Sequence, residues 1–182
     1  TLKGYIDELS VTGLTSNPTI FDKAITDGHD YDEQVAELRS QGIDSEDLFF
    51  EVAITDLRRA ADLFKPIHEQ TDGVDGYVSL EVSPELANDT KATTKQAAEL
   101  HGKADRENLY IKIPGTPEGL PAIEETIFAG IPVNVTLLFD SQQHLACADA
   151  YMKGIERRIE AGLDPKVESV ASLFISRWDV AV

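Results

Sequence analysis

Apolar runs of strand length alternate along this chain with longer segments of helical period, and that alternation limits the folds open to it. The candidate strands are Gly13–Ser16, Tyr77–Val82, Asn108–Ile113, Pro132–Phe139 and Ser169–Ser176. The stretches between them read as helices. Ser45–Phe64 carries Leu48, Val52, Leu57 and Leu63 among charges, with Asp44 or Ser45 placed to cap its start. Tyr31–Ser40 and the Ala/Lys/Glu-rich Asn88–Lys103 are helical in composition. Glu118–Ala129 ends at Gly130, and Ser141–Ala161, which carries Leu145, Ala148, Met152, Ile155 and Ile159, ends at Gly162. Strands separated by helices imply a parallel sheet with helices packed against it, an α/β fold.

Two α/β architectures compete. An open doubly wound sheet carries a Gly-rich phosphate loop after an early strand, and neither GxGxxG nor GxxxxGK[ST] occurs in this sequence. The chain therefore reads as a (β/α)8 barrel. A complete barrel needs eight strands and ~250 residues, so five candidate strands in 182 residues predict a partial one. The absent initiator Met and the ending Trp178-Asp179-Val180-Ala181-Val182, just past a strand, point the same way. Residues 1–182 are read as one partial barrel domain.

Charge and cysteine content narrow the partners. A net charge of −17 repels nucleic acid and anionic membranes, and an anionic substrate would need a local Arg or Lys. No apolar run reaches the ~20 residues that cross a bilayer, and the first residues show no signal segment. The single cysteine, Cys147, lies in a helical segment with no His beside it and reads as a packing residue. One thiol fits a reducing, cytoplasmic location. His29, His68, His101 and His144 show no metal-ligand spacing and read as surface residues, so no metal is expected.

Side chains alternate along a strand. Val78, Leu80 and Val82 share one face, with Tyr77, Ser79 and Glu81 on the other. Leu109, Ile111 and Ile113 alternate with Tyr110 and Lys112; Val133, Val135 and Leu137 with Asn134, Thr136 and Leu138; Ala171, Leu173 and Ile175 with Ser172, Phe174 and Ser176. An antiparallel sheet with one wet face alternates in the same way, but the long helical connections count against it. In a barrel the apolar faces meet the helices, and the polar faces collect at the C-terminal mouth where barrel sites lie.

Lys112, in Leu-Tyr-Ile-Lys-Ile-Pro, is the most informative of these residues. Burying an ammonium is costly unless it is paired or gives up its proton, and a neutral amine attacks carbonyls. It reads as a nucleophile, with a structural ion pair to Glu81 as the alternative. Glu81 could move protons through a water, Thr136 could hold that water, and Asn134 could bind a substrate hydroxyl. Arg177, just past a strand end, could grip a phosphate. Taken singly, each of these has an ordinary structural explanation.

Four segments then carry a family resemblance: Leu-Thr-Ser-Asn-Pro-Thr-Ile-Phe (14–21), Val-Ser-Leu-Glu-Val (78–82), Tyr-Ile-Lys-Ile-Pro-Gly-Thr (110–116) and Val-Asn-Val-Thr-Leu-Leu-Phe (133–139). In this order they resemble the transaldolases, and the similarity runs through essentially the whole chain. The resemblance implies a TIM barrel, of which these residues would supply about the second to sixth strands. It implies transfer of a dihydroxyacetone unit from sedoheptulose 7-phosphate to glyceraldehyde 3-phosphate, giving erythrose 4-phosphate and fructose 6-phosphate in the non-oxidative pentose phosphate pathway. No cofactor is implied. Lys112 resembles the Schiff-base lysine, Glu81 the acid/base carboxylate, and Thr136 the residue that orients the catalytic water. Asn17 and Asn134 resemble substrate-contacting asparagines, and Ser172 and Arg177 phosphate-binding residues. The family's first-strand Asp would precede residue 1, and Asp7 is not its counterpart. The 182 residues alone are therefore expected to be inactive or nearly so, and exposed strand edges would invite association into a homo-oligomer. Two rivals stand beside this reading: a related aldolase that cleaves fructose 6-phosphate, and a non-catalytic barrel that binds sugar phosphates.

Overall fold

The computed structural model describes residues 1–43 and 45–181, and Ile20 by its backbone alone. Asp44, one of the two candidate caps of the long helix, lies outside the described residues. The chain divides into two compact units, Thr1–Leu80 with Gly102–Leu109, and Glu81–His101 with Tyr110–Val182.

The first unit contains helix α1 (Leu2–Leu9), strand β1 (Leu14–Thr15), helices α2 (Pro18–Asp27), α3 (Asp32–Ser40) and α4 (Ser45–Gln70), and most of strand β2 (Val78–Glu81). β1 and β2 run parallel, with Leu14 opposite Val78, and the Ser16 hydroxyl donates to the Ser79 carbonyl at 2.7 Å. Asn108, 1% exposed, donates its amide to the carbonyls of Ala61 and Gly76, so its buried polar group is satisfied. Helix α2 was not anticipated from the sequence.

Helix α4 buries Leu48, Val52, Ala53, Leu57, Ala61 and Phe64 at the three- and four-residue spacing of one helical face. The sequence placed its end at Phe64, yet it runs through Pro66 to Gln70. Proline forfeits one backbone bond, and tertiary packing of the last turn offsets that loss. The packing residue is His68, which corrects its reading as a surface residue. His68 is buried, meets the Tyr77 ring edge-to-face at 4.8 Å, and shares a hydrogen bond between Nδ1 and the Asp75 carbonyl.

The second unit is built on strands β3 (Leu109–Pro114), β4 (Val133–Leu138) and β5 (Ser169–Leu173). Its helices are most of α5 (Thr90–Ala104), α6 (Gly119–Phe128), α7 (Ser141–Glu160) and α8 (Ser176–Ala181). β3–β4 and β4–β5 pair in parallel, and the strand order is β1-β2-β3-β4-β5. Parallel strands in sequence order, joined by helices, make this the α/β fold of a partial (β/α)8 barrel. Helices α6 and α7 pack closely because Gly154 has no side chain. A Cβ there would fall 2.8 Å from the Glu124 carbonyl and from Ile127. Arg157 adds bonds to Glu124 and Glu125 at 2.8 and 2.7 Å.

Two sequence expectations fail at strand ends. The last strand stops at Leu173, and Ser176 begins α8, so Arg177 sits in a helical first turn and not beside a strand end. The alternation in β4 also breaks. Leu137 is exposed and Leu138 fully buried, the reverse of the expected faces. A register shift between Val135 and Leu138 marks a β-bulge, with Leu137 at φ +58°. One extra residue turns every later side chain to the other face.

Candidate active site

The second unit gathers most of the candidate residues on its strands. Lys112 lies near the end of β3, a strand buried at all six positions. Its Nζ donates to Glu81 Oε2 at 2.9 Å, with the two side chains only 8% and 14% exposed. Glu81 ends β2, and the Val82 N–H donates to the Lys112 carbonyl at 3.2 Å, so the backbone ladder holds the pair side by side. An apolar pair of similar volume would often serve stability as well as a buried ion pair. Keeping two charges there therefore points to a use beyond stability.

Strand β4 supplies the next pair. Asn134 stands opposite Lys112 in the parallel register, so both side chains lie on one face of the sheet. The Ser172 hydroxyl reaches across from β5 and donates to Asn134 Oδ1 at 2.8 Å. Thr136 follows two residues on from Asn134, 1% exposed and opposite Pro114. Lys112, Glu81, Asn134, Thr136 and Ser172 thus come from four neighbouring strands, with Glu81, Lys112, Thr136 and Ser172 toward the C-terminal ends and Asn134 second in β4.

The structure treats the other two candidates differently. Arg177 is exposed in α8, its guanidinium 6.0 Å from the Phe174 ring centre. Asn17 is half-buried between β1 and α2, in the first unit. A cavity of about 200 Å³ between α7 and β5, lined by Val135, Cys147, Tyr151 and Ala171, lies apart from these residues.

The exits of β3 and β4 are tied together by groups the sequence did not single out. Gly115 donates its N–H to the Thr136 carbonyl at 2.8 Å. A Cβ on Gly115 would fall 2.5 Å from Leu138 Cδ2 and 2.9 Å from Cys147 Sγ, so any side chain there would push the buried Leu138 aside. The Leu137 bulge is what turns Leu138 into that space. A left-handed φ at a non-glycine residue costs about 1–2 kcal/mol. Gln143, in the first turn of α7, binds both exits through its side-chain amide. No pattern in Val-Asn-Val-Thr-Leu-Leu announces the bulge, and a helical Gln carries no signal of its own.

Cys147 is buried, and burial pushes its thiol pKa up. That agrees with a packing residue. His101 is half-buried, its buried Nε2 has no hydrogen-bond partner among the described residues, and burial pushes its pKa down. The surface reading of His101 is corrected accordingly, while His29 and His144 are exposed. Among the described residues no cluster of His, Cys, Asp or Glu is placed to hold a metal ion, and no helix is long and apolar enough to cross a membrane.

The transaldolase/fructose-6-phosphate aldolase family matches residues 1–182, the whole chain. The chain belongs to that family. It is 49% identical over 182 residues to the transaldolase of Mycobacterium ulcerans (strain Agy99), covering 100% of this chain and 49% of that protein. It is 48% identical over the same length to the transaldolases of Mycobacterium tuberculosis (strain ATCC 25618 / H37Rv) and Kocuria rhizophila, covering 49% and 50% of them. The chain spans about half the length of the curated relatives it matches.

Proposed function

We propose that the intact protein carrying this sequence is a transaldolase with Lys112 as its Schiff-base lysine. The observation that carries the reading is the buried Lys112–Glu81 pair at 2.9 Å, on a strand end of a chain in the transaldolase/fructose-6-phosphate aldolase family. Lys112 passes a proton to Glu81, and the free amine attacks C2 of sedoheptulose 7-phosphate. Glu81 returns the proton through a water held by Thr136, the C2 hydroxyl leaves as water, and an iminium forms. The C4 hydroxyl gives up its proton to a base outside this set of residues. The C3–C4 bond breaks, its electrons pass to the iminium, and erythrose 4-phosphate departs. The enamine carbon then attacks the aldehyde of glyceraldehyde 3-phosphate, whose oxygen takes a proton. Water adds at C2, the amine leaves, and fructose 6-phosphate is released. Asn134, held by Ser172, and Asn17 bind substrate hydroxyls. Ser172 and Arg177 bind phosphate, Arg177 supplying local positive charge against a net charge of −17. The single cysteine in these 182 residues supports a cytoplasmic location for the protein.

The test is borohydride trapping. The intact protein, incubated with fructose 6-phosphate and reduced, should carry a sugar adduct on Lys112 by mass spectrometry, and Lys112→Ala should carry none. No adduct on the intact protein would remove the Schiff-base reading. The family name also covers fructose 6-phosphate aldolases. Release of glyceraldehyde 3-phosphate from fructose 6-phosphate at full rate without an acceptor aldehyde would favour that second activity.

A further inference from the structure

Strained backbone persists only where its surroundings over-determine it, and it gathers at functional sites. The left-handed Leu137 lies one residue past Thr136. The strand end beyond it is held by the Phe174 N–H on the Leu138 carbonyl, by the Trp178 indole N–H on the Phe139 carbonyl, and by the Gln143 side chain. Gln143 Oε1 accepts the Phe139 N–H at 3.0 Å. Its Nε2 donates to the Gly115 carbonyl at 3.3 Å and reaches the Leu137 carbonyl at 3.5 Å. The Gln143 backbone N–H is itself held by the Asp140 carboxylate at 2.8 Å, the N-cap of α7. One fixed residue therefore joins the exit of β3, three residues beyond Lys112, to the exit of β4.

We propose that Gln143 is a positioning residue of the Lys112 site. It holds the Leu137 bulge, and through the bulge it keeps Thr136 and Asn134 in register beside Lys112. The inference rests on Lys112 being the nucleophile. Gln143 binds backbone groups at the two exits, so its loss leaves the Lys112–Glu81 ladder in place. What shifts is the end of β4. If Thr136 orients the water that leaves and re-enters at C2, the penalty falls on turnover more than on binding, since small misplacements slow reaction steps steeply.

The experiment uses the intact protein. Wild type is first trapped with fructose 6-phosphate and borohydride, and adduct stoichiometry counts the competent sites. Per competent site, Gln143→Ala should lower kcat about tenfold or more and change KM less than about threefold. Gln143→Glu, which keeps an acceptor for the Phe139 N–H, should recover part of kcat. Leu137→Gly placed in the Gln143→Ala background should also recover part of it, because glycine adopts φ +58° without strain. If Gln143→Ala lowers only the number of folded molecules, or moves KM and leaves kcat, the proposal fails while the Schiff-base reading stands. If wild type forms no adduct, both fall together.

Discussion

Strands β3 and β5 contribute to one candidate site from opposite surroundings. All six residues of β3 are buried, whereas no residue of β5 is, and its Val170 and Leu173 are 43% and 50% exposed. β3 lies between β2 and β4, while β5 pairs with β4 alone among the described strands. The chemistry they carry divides the same way. Lys112 is paired and almost dry, while Ser172 is half-buried and Arg177, after β5, is exposed. A nucleophile that forms a covalent bond gains from a water-poor, fixed setting. A phosphate grip has to meet its ligand in solvent, where an accessible Arg gains more than a buried one.

The largest expected effect comes from breaking the pair on β3. Lys112→Ala leaves Glu81 buried and alone, and should cost about 3–5 kcal/mol of unfolding free energy in a urea titration. Replacing both partners, Lys112→Met with Glu81→Leu, should regain most of that loss. A single-variant cost under about 1 kcal/mol would mean that the pair behaves like an exposed one. Truncating apolar side chains sharpens the same contrast. Ile111→Ala, at a fully buried position of β3, should cost about 2–5 kcal/mol. Leu173→Ala on β5 should cost less than about 1 kcal/mol. Equal costs would mean that β5 is covered in solution.

The part of the site that sequence made legible is the part that keeps the strand period. Lys112 and Glu81 could be assigned to one polar face because β2 and β3 alternate without interruption. The period also placed Asn134 and Thr136, which precede the bulge. Beyond Thr136 it misled, since the extra residue at Leu137 is set by Gln143, Gly115 and Leu138 together and not by any turn residue. Arg177 was misplaced for a related reason. Leu173-Phe174-Ile175 has the composition of a strand, yet pairing with β4 ends at Leu173, and the chain is free to begin α8 at Ser176. His68 was hidden behind Pro66, because a proline in a helical pattern reads as an ending. The ring of Tyr77, nine residues farther along the chain, overrides it.

On β5 the expected losses move from stability to binding. Arg177→Ala should leave the unfolding curve nearly unchanged, because the side chain is exposed. If Arg177 grips phosphate, its removal should raise KM for sugar phosphates about tenfold or more, the scale of one charge-assisted hydrogen bond. Ser172→Ala removes the hydroxyl that donates to Asn134 at 2.8 Å, and should cost about 1 kcal/mol of stability together with a rise in KM. An unchanged KM in both variants would take phosphate recognition away from this end of the sheet.

The smallest effect probes how closed the β3 exit is, through Cys147. Its Sγ lies against Gly115, and burial pushes the thiol pKa above the ordinary value of 9.0. The folded state therefore favours the neutral thiol more than the unfolded chain does. That contribution is fully present below about pH 9, and it is lost as pH rises through the folded-state value. Other groups titrate in the same range, so the informative quantity is the stability difference between wild type and Cys147→Ala, followed from pH 8 to 11. Below about pH 9 the difference should be constant and reflect packing alone. Above that it should shrink, because only the wild type has a thiol to ionise. Alkylation should follow the same closure, with Cys147 reacting slowly in the folded protein and at the rate of a free thiol once urea has unfolded it. A difference that stays flat to pH 11, with fast alkylation of the folded chain, would mean that solvent reaches the thiol. The exit of β3 would then be open in solution, and the contrast with β5 would narrow to the strand's middle, where Ile111 and Lys112 lie.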